Sequence, residues 1–362
     1  MANENLGDAK KAKNDEFYTQ YDDINKEINA YLEYDENVFR GKTVLLPCDD
    51  PEWSNFTKFF AQNFNRLGLK KLISTSYAIG SKPQELNLQP TLFEIESPQF
   101  DKKKAVQNGR IFVLDRDTNK DGVVNFDDIT WSYLEGNGDF RSDEVTKLRD
   151  EADIVVTNPP FSLFREFVEW LVAGATKFLI IGNMNAVTYK EVFALIQKNL
   201  MWLGVTRTGV GFMWFEVNDG SPIKSGQKLI DGKRFQTIGN SAWFTNMDHR
   251  RLHEPLILNT EADNVRFGPA GVKDSGYQKY DNYDAIEVPK VEAIPSDYSG
   301  AMGVPITFLG KYNPDQFEII GASDNGAVPD EFKLPHFKKH NEPFIKGKKL
   351  YKRIFIRHRK SN

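Results

Sequence analysis

The chain has 362 residues, 40% hydrophobic and 13% aromatic, with a formal net charge of −4. That supplies one large core or two smaller ones, and no run approaches the roughly 18 apolar residues of a membrane span. The single cysteine, Cys48, excludes an internal disulfide, which fits a reducing cytoplasm.

The N-terminus, "MANENLGDAKKAKNDEFYTQ", has no apolar core. No secretory signal is expected there, and residues 1–14 read as a mobile polar N-terminus. "DEFYTQYDDINKEINAYLEY" has helical spacing, with Tyr21, Ile24, Ile28 and Leu32 on one face and Asp15 or Thr19 as cap. "KTVLLPCDDPEWSNFTKFFAQNFNRLG" reads as strand, turn and helix, and "KKLISTSYA" as a second strand. Residues 80–104 lack periodicity and look like an insertion. "GRIFVLD" and "EADIVVTNPP" are further strands, and "SLFREFVEWLVAGA" is an amphipathic helix. "TKFLIIGNMNA", "YKEVFALIQKN", "KNLMWLGV" and "NSAWFTNM" continue as strand, helix, strand and strand. This alternation predicts an α/β fold with a mostly parallel, doubly wound sheet. From about residue 248 Gly, Pro, Tyr and Asp become frequent and helical signals fade, so 248–362 reads as a second region.

"TNPPF" carries the most chemistry. Two prolines end the strand and fix an extended turn, which places Asn158 at the carboxyl edge where open α/β sheets bind ligands. A nucleobase amine is a poor nucleophile because its lone pair is delocalised into the ring. Two acceptors aimed at its hydrogens, the Asn158 side-chain oxygen and the Pro159 carbonyl, draw it toward tetrahedral geometry. Pro160 completes the rigid turn. Phe161 can stack on the base, worth roughly 1–3 kcal/mol. A base in duplex DNA must leave the stack to be reached, so this reading implies base flipping. The plainer reading is a strand that stops at a Pro-Pro turn with a buried Phe.

Two other stretches stand out. "DTNKDGVVNFDD", 117–128, has the spacing of a calcium loop, with Asp117, Asn119, Asp121 and Asp128 as side-chain ligands, Val123 lending a carbonyl and Gly122 making the turn. Against Ca2+, position twelve is Asp rather than Glu, a strand precedes the loop, and Asn, Asp and Gly also make metal-free turns. From Lys333 onward the chain carries eleven Lys or Arg and one acid, Glu342. That is either a solvated tail or a phosphate-contacting surface. Arg353, Arg357 and Arg359 would share one strand face and could touch phosphates or guanines. The five histidines form no recognisable catalytic or metal motif.

"NPPF" after an apolar strand resembles the catalytic motif of the amino-methyltransferases. An ordered set of stretches, among them "KNDEFYTQYDDI", "LPCDDPEWSNFTKFF", "GNGDFRSDE", "EADIVVTNPPFSLFREFV", "SAWFTN" and "MGVPITFLGKYNPDQFEIIG", resembles the EcoRI-type adenine-specific DNA methyltransferases. The resemblance runs from residue 13 to 321 and implies a Rossmann-like, S-adenosylmethionine-dependent catalytic domain over 15–247. A DNA target-recognition region with a basic tail would fill 248–362. It places Pro47, Asp49 and Asp50 against the methionine end of the cofactor, where most of the wider class has a glycine-rich loop. A carboxylate there suits the cofactor's α-ammonium; Asp50 and Ser54 equally suit a helix cap. It also places Asp139 and Phe140 at the cofactor's adenine, and Phe17, Tyr18 and Thr19 over its methionine end.

The expected substrate is double-stranded DNA methylated at adenine N6. No nuclease motif is visible, so the chain reads as a modification enzyme without its own cutting domain; whether a companion restriction endonuclease acts separately is not readable from the sequence. The same motif also serves cytosine N4, RNA adenine or protein glutamine, and a calcium-loaded DNA-binding module without catalysis is the non-enzymatic rival.

Overall fold

The computed structural model describes residues 18–47, 49–50, 54–78, 97–206, 209–210, 213–216, 227–230, 233–236, 240–273, 275–323 and 342–359. The 1–14 segment, Phe17, Cys48 and most of the expected insertion lie outside them. By internal contacts the chain forms two compact units. The first is Met1–Met184 with Thr206–Met247, and the second is Asn185–Val205 with Asp248–Asn362. The second unit therefore takes in a helix and strand that the sequence reading had assigned to the first region.

The first unit opens with β1 (Tyr18–Thr19) and α1 (Tyr21–Tyr34). Helix α1 buries Ile24, Glu27, Ile28 and Tyr31, so the expected stripe holds at Ile24 and Ile28 but continues through Tyr31 rather than Leu32. Its N-cap is Gln20, without a side-chain cap bond, and not Asp15 or Thr19. Next come β2 (Thr43–Leu46), α2 (Asn55–Gln62), α3 (Phe64–Leu67) and β3 (Lys71–Ser76). Helix α4 (Lys102–Gln107) leads into β4 (Arg110–Leu114) and β5 (Thr130–Tyr133). Helix α5 (Asp143–Glu151), β6 (Ile154–Thr157), α6 (Phe164–Ala173) and β7 (Lys177–Asn183) follow.

Strands β2 and β6 are buried at every position, as continuous apolar runs covered on both faces must be. Helix α6 buries Phe164, Phe167, Val168, Trp170 and Leu171, an i, i+3, i+4, i+7 stripe.

The second unit begins with α7 (Lys190–Gln197) and β8 (Trp202–Leu203). The chain then returns to the first unit for β9 (Gly209–Val210), β10 (Phe215–Glu216), β11 (Gln227–Ile230), β12 (Lys233–Gln236) and β13 (Asn240–Thr245).

The main sheet of the first unit runs β5-β4-β3-β2-β6-β7-β13, with β9 on β13. Its centre, β3-β2-β6-β7, is parallel. Strands β4, β5 and β13 are antiparallel to their neighbours. The sheet is thus large and mixed rather than mostly parallel. Apolar runs of four to six residues mark a strand but not its direction, which the connecting loops decide. A second small antiparallel sheet, β1-β10-β12-β11, was not visible in the sequence.

The rest of the second unit holds α8 (Glu261–Phe267) and a sheet β14-β15-β19-β16, made of β14 (Ile286–Glu287), β15 (Met302–Pro305), β16 (Phe317–Ala322) and β19 (Arg353–His358). A hairpin, β17 (Phe344–Ile345) with β18 (Lys348–Lys349), lies beside it in the chain. Among the described residues, no helix is long and apolar enough to cross a membrane.

Candidate active site

The parallel neighbours β3, β2 and β6 end at one sheet edge. After β2 the chain turns outward to β3, and after β6 it turns the other way to β7. A reversal of strand order of this kind is where open α/β sheets bind their ligands, beside the carboxyl ends of the strands, here β2 and β6. Asp49 and Asp50, after β2, and the "NPPF" stretch, after β6, leave the sheet there.

Asp49 is buried and held at both ends. Its carboxylate accepts from the Ser54 hydroxyl at 2.7 Å and the Thr157 hydroxyl at 2.5 Å. Its carbonyl accepts from the Thr57 hydroxyl at 3.0 Å and from Ser74. The Thr157 hydroxyl also lies 2.8 Å from the carbonyl of buried Pro47, so the last residue of β6 ties the two loops together. Asp50 instead forms a buried ion pair with Arg110 of β4. The expected helix cap is present as well: Ser54 accepts from the Phe56 N–H at 3.1 Å and caps α2.

Asn158 follows Thr157 and is half-buried, Pro159 is buried, and Pro160 and Phe161 are half-buried. Pro160 precedes a 3-10 turn over Phe161–Leu163 that runs into α6. The Asn158 side-chain amide donates to the Thr19 hydroxyl at 3.4 Å. Thr19 is 3% exposed, and its carbonyl accepts from the Asn55 side chain at 2.8 Å. Strand β1 is thereby anchored by Asn55 of α2 and by Asn158 of the turn that follows β6. Phe17 and the Tyr18 side chain lie outside the described residues.

The "GDF" loop packs on the end of β3. The Ala78 N–H donates to the Asn137 carbonyl at 2.9 Å. Gly138 has φ +83°, and a Cβ there would sit 2.4 Å from the Ser76 carbonyl oxygen; only glycine fits. Asp139 accepts from Arg141 at 2.7 and 2.9 Å, and Arg141 also reaches Glu166 at 2.8 Å. The Asp139 hydrogen bond, joined by Glu166, raises the Arg141 pKa above its ordinary value. Phe140 is fully buried, edge-on to Phe167 at 4.9 Å and Trp170 at 5.6 Å. The expectation that its ring covers a cofactor gives way here to a core role that fixes the loop from below.

Thr157, Arg110 and Arg141 carry no local signal in the sequence that sets them apart, because each is defined by partners distant in the chain. The threonine of "TNPPF" was in view, but its partner Asp49 lies 108 positions away.

The 117–128 loop is bonded within itself. Asp117 accepts from the Gly122 N–H at 2.8 Å, Asn119 from Asp121 at 2.9 Å, and Asp121 from Val123 at 2.9 Å. Asp128 is 1% exposed and accepts from Thr118, Asn119 and Asn125. Burial pushes its pKa up, but those hydrogen bonds outweigh it and hold the carboxyl below its ordinary value. Among the described residues no group of three or more His, Cys, Asp or Glu is placed to hold a metal ion.

In the second unit, the expected basic face of Arg353, Arg357 and Arg359 is corrected at Arg353. Its guanidinium is buried against Glu287 at 2.6 Å, with the two side chains 12% and 11% exposed. Burial, reinforced by the Glu287 carboxylate, pushes the neighbouring Tyr280 hydroxyl well above the usual phenol range. Arg357 is half-buried in register with Glu318. Arg359 is exposed and donates to the Pro314 carbonyl at 2.5 Å. Ile354, Phe355 and Ile356 between them are fully buried, so β19 is a core strand rather than a solvated charged one.

The parallel core of the sheet thus carries Asp49 after β2 and the Asn158–Phe161 turn after β6, tied to each other through Thr157. The adenine-specific methyltransferase EcoRI family model matches residues 5–359, and the chain belongs to that family; it is an enzyme, an adenine-specific DNA methyltransferase. It is 44% identical to the Type II methyltransferase M.EcoRI of Escherichia coli, over 97% of this chain and 98% of that protein. It is 36% identical to the Type II methyltransferase M.MgeORF184P of Mycoplasma genitalium, over 96% of this chain and 97% of the relative. It is likewise 36% identical to M.MpnI of Mycoplasma pneumoniae, over 98% of each chain. No solved structure matches the chain.

Proposed function

We propose that this methyltransferase uses S-adenosylmethionine to methylate the N6 amine of an adenine flipped out of a specific site in double-stranded DNA. The observation that carries the reading is the meeting of Asp49, Thr157, Asn158 and Thr19 at the carboxyl edge of β2 and β6. The donor set fits the cofactor: a buried carboxylate steadied by hydroxyls suits an α-ammonium, with Pro47 and Thr19 beside it, and Asp139, which already accepts from Arg141, as a further acceptor for an adenine amino group. Asp50, paired with Arg110, shapes the loop. When bound, S-adenosylmethionine supplies a methyl group on a sulfonium sulfur.

The chain's own residues prepare the amine. The Asn158 side-chain oxygen and the Pro159 carbonyl accept its two hydrogens, which localises the lone pair for in-line attack on the methyl carbon. Phe161 stacks on the flipped base. Thr19 orients the Asn158 amide by accepting from its nitrogen, which leaves the oxygen as the arm that meets the amine. The methyl group would pass to the amine as its bond to the sulfonium sulfur breaks to leave a neutral thioether, and the extra amine proton would then be lost to water.

The proposal extends to a doubly wound, Rossmann-like catalytic domain over 15–247 and a target-recognition region over 248–362. It also extends to a cytoplasmic setting and a separately acting restriction endonuclease of the same specificity. Ca2+ at the 117–128 loop has no part in methyl transfer in this reading.

The test is transfer of labelled methyl from S-adenosylmethionine to mixed unmethylated DNA, followed by nucleoside analysis. Label in N6-methyladenine at one recurring sequence is the expected result. Label in cytosine, or no label despite cofactor binding, would overturn the substrate.

A further inference from the structure

The basic C-terminal stretch contains one element built unlike a solvated tail. Strands β17 and β18 pair Phe344 with Lys349 and Ile345 with Lys348. The two residues between them, Lys346 and Gly347, have φ of +50° and +72°. Positive φ at both central positions is the two-residue hairpin turn whose twist matches its strands. Its tip is tied down: the Asp281 carboxylate accepts from the Lys346 N–H at 3.0 Å and the Gly347 N–H at 2.7 Å.

Its base is tied as well. The buried Asn282 side chain donates to the Glu342 carbonyl at 2.8 Å and accepts from the Phe344 N–H at 3.0 Å. Ile345 and Leu350 pack on the cluster of Tyr280, Tyr283 and Phe355. Residues 346–349 are all exposed. Lys349 pairs with Glu342 at 2.5 Å, whereas Lys346 and Lys348 make no ion pair among the described residues.

A short hairpin is only marginally stable alone. This one is held by a carboxylate under its tip, an amide at its base and the packing of Ile345 and Leu350, and it carries two exposed ammonium groups, Lys346 at the turn and Lys348 opposite Ile345. A preformed element avoids the ordering cost of binding, and a two-stranded ribbon has the width that a DNA major groove admits. Lysine acts as a point charge, suited to phosphate rather than to the two-pronged recognition of a base edge.

We propose that the 344–349 hairpin is a rigid cationic ribbon that positions the target duplex by contacting its phosphates through Lys346 and Lys348. This rests on the reading of the chain as an enzyme acting on duplex DNA. The element works by charge and place, and leaves discrimination among sequences to other residues.

The test compares full-length protein with the Lys346→Ala, Lys348→Ala double variant. Duplex affinity is measured over a series of salt concentrations, for a duplex carrying the target sequence and for one lacking it. The expected result is weaker binding to both duplexes, a salt dependence shallower by roughly 2 in log-log slope, an unchanged ratio between the duplexes and an unchanged thermal midpoint. An unchanged slope would overturn the contact, and a changed ratio would overturn its assignment to phosphate. If the unaltered protein methylates and binds DNA while the variant behaves identically, the hairpin inference alone falls. If the unaltered protein neither binds nor methylates DNA, the functional reading falls and takes this one with it.

Discussion

The Asn158 side-chain nitrogen donates to the Thr19 hydroxyl at 3.4 Å across 139 positions of sequence. One arm of the amide is thereby occupied, and its orientation is set from outside the motif. Asn158→Ala is expected to lower turnover by about 10²–10³-fold, the scale seen when one preorganised polar partner is removed, while calorimetry shows cofactor binding retained. Thr19→Val should lower turnover less, and Thr19→Ser should restore it. Normal turnover in Asn158→Ala would end the catalytic assignment.

Gly138 sits where a side chain would strike the Ser76 carbonyl oxygen. Gly138→Ala combines that clash with a positive φ and is expected to destabilise the protein by about 1–3 kcal/mol. It should also weaken S-adenosylmethionine binding, because Asp139 moves with the loop. Denaturant titration and calorimetry on the same variant separate the two effects. Unchanged cofactor affinity would remove Asp139 from the site.

The buried Glu287–Arg353 pair predicts a loss of stability rather than a loss of DNA binding. Removing one partner strands a buried charge, so Arg353→Ala should cost about 3–5 kcal/mol, while replacing both by apolar residues recovers much of that. Chemical denaturation measures both, and the salt dependence of DNA affinity should stay at its unaltered slope in the double replacement. A shallower slope there would return Arg353 to the DNA surface.

His249 is 2% exposed, and its ring lies 3.0 Å from the Leu203 carbonyl. Burial pulls its pKa below the ordinary value, against the opposing pull of the Leu203 carbonyl and Asp248. With the folded-state pKa depressed, the unfolded chain takes up a proton first as the pH falls. Stability is therefore expected to decline below about pH 6.5, the ordinary histidine value. Unfolding titrations at stepped pH should show that slope, and His249→Asn should flatten it.

The parts legible in the sequence are those whose cause is local. "TVLL" and "IVVT" announce buried strands because apolar runs covered on both faces need no distant partner to be recognised. The stripe of α6 is visible for the same reason. The site motifs were legible through family resemblance, and the strand ends explain why they meet. What stayed hidden depends on partners far away in the chain. Strand β1 has two residues and exists only because β10 lies beside it. The direction of β4, antiparallel to β3, is not written in its own apolar run. Phe140 looks like a stacking ring until Phe167 and Trp170 close around it, and Arg353 looks like a DNA contact until Glu287, 66 positions earlier, is found on its guanidinium.

The pairing of Tyr18 with Glu216 and of Thr19 with Phe215 also sets an order of events on the ribosome. The turn at Asn158 is synthesised well before the strand that pairs with Thr19. A nascent chain stopped short of residue 215 would carry Asn158, Thr19 and the Asn55 tie between Thr19 and α2, yet lack the strand that pairs with Thr19. Fragments that end between the two are therefore expected to transfer methyl groups poorly, and competence should rise once β10 has been made.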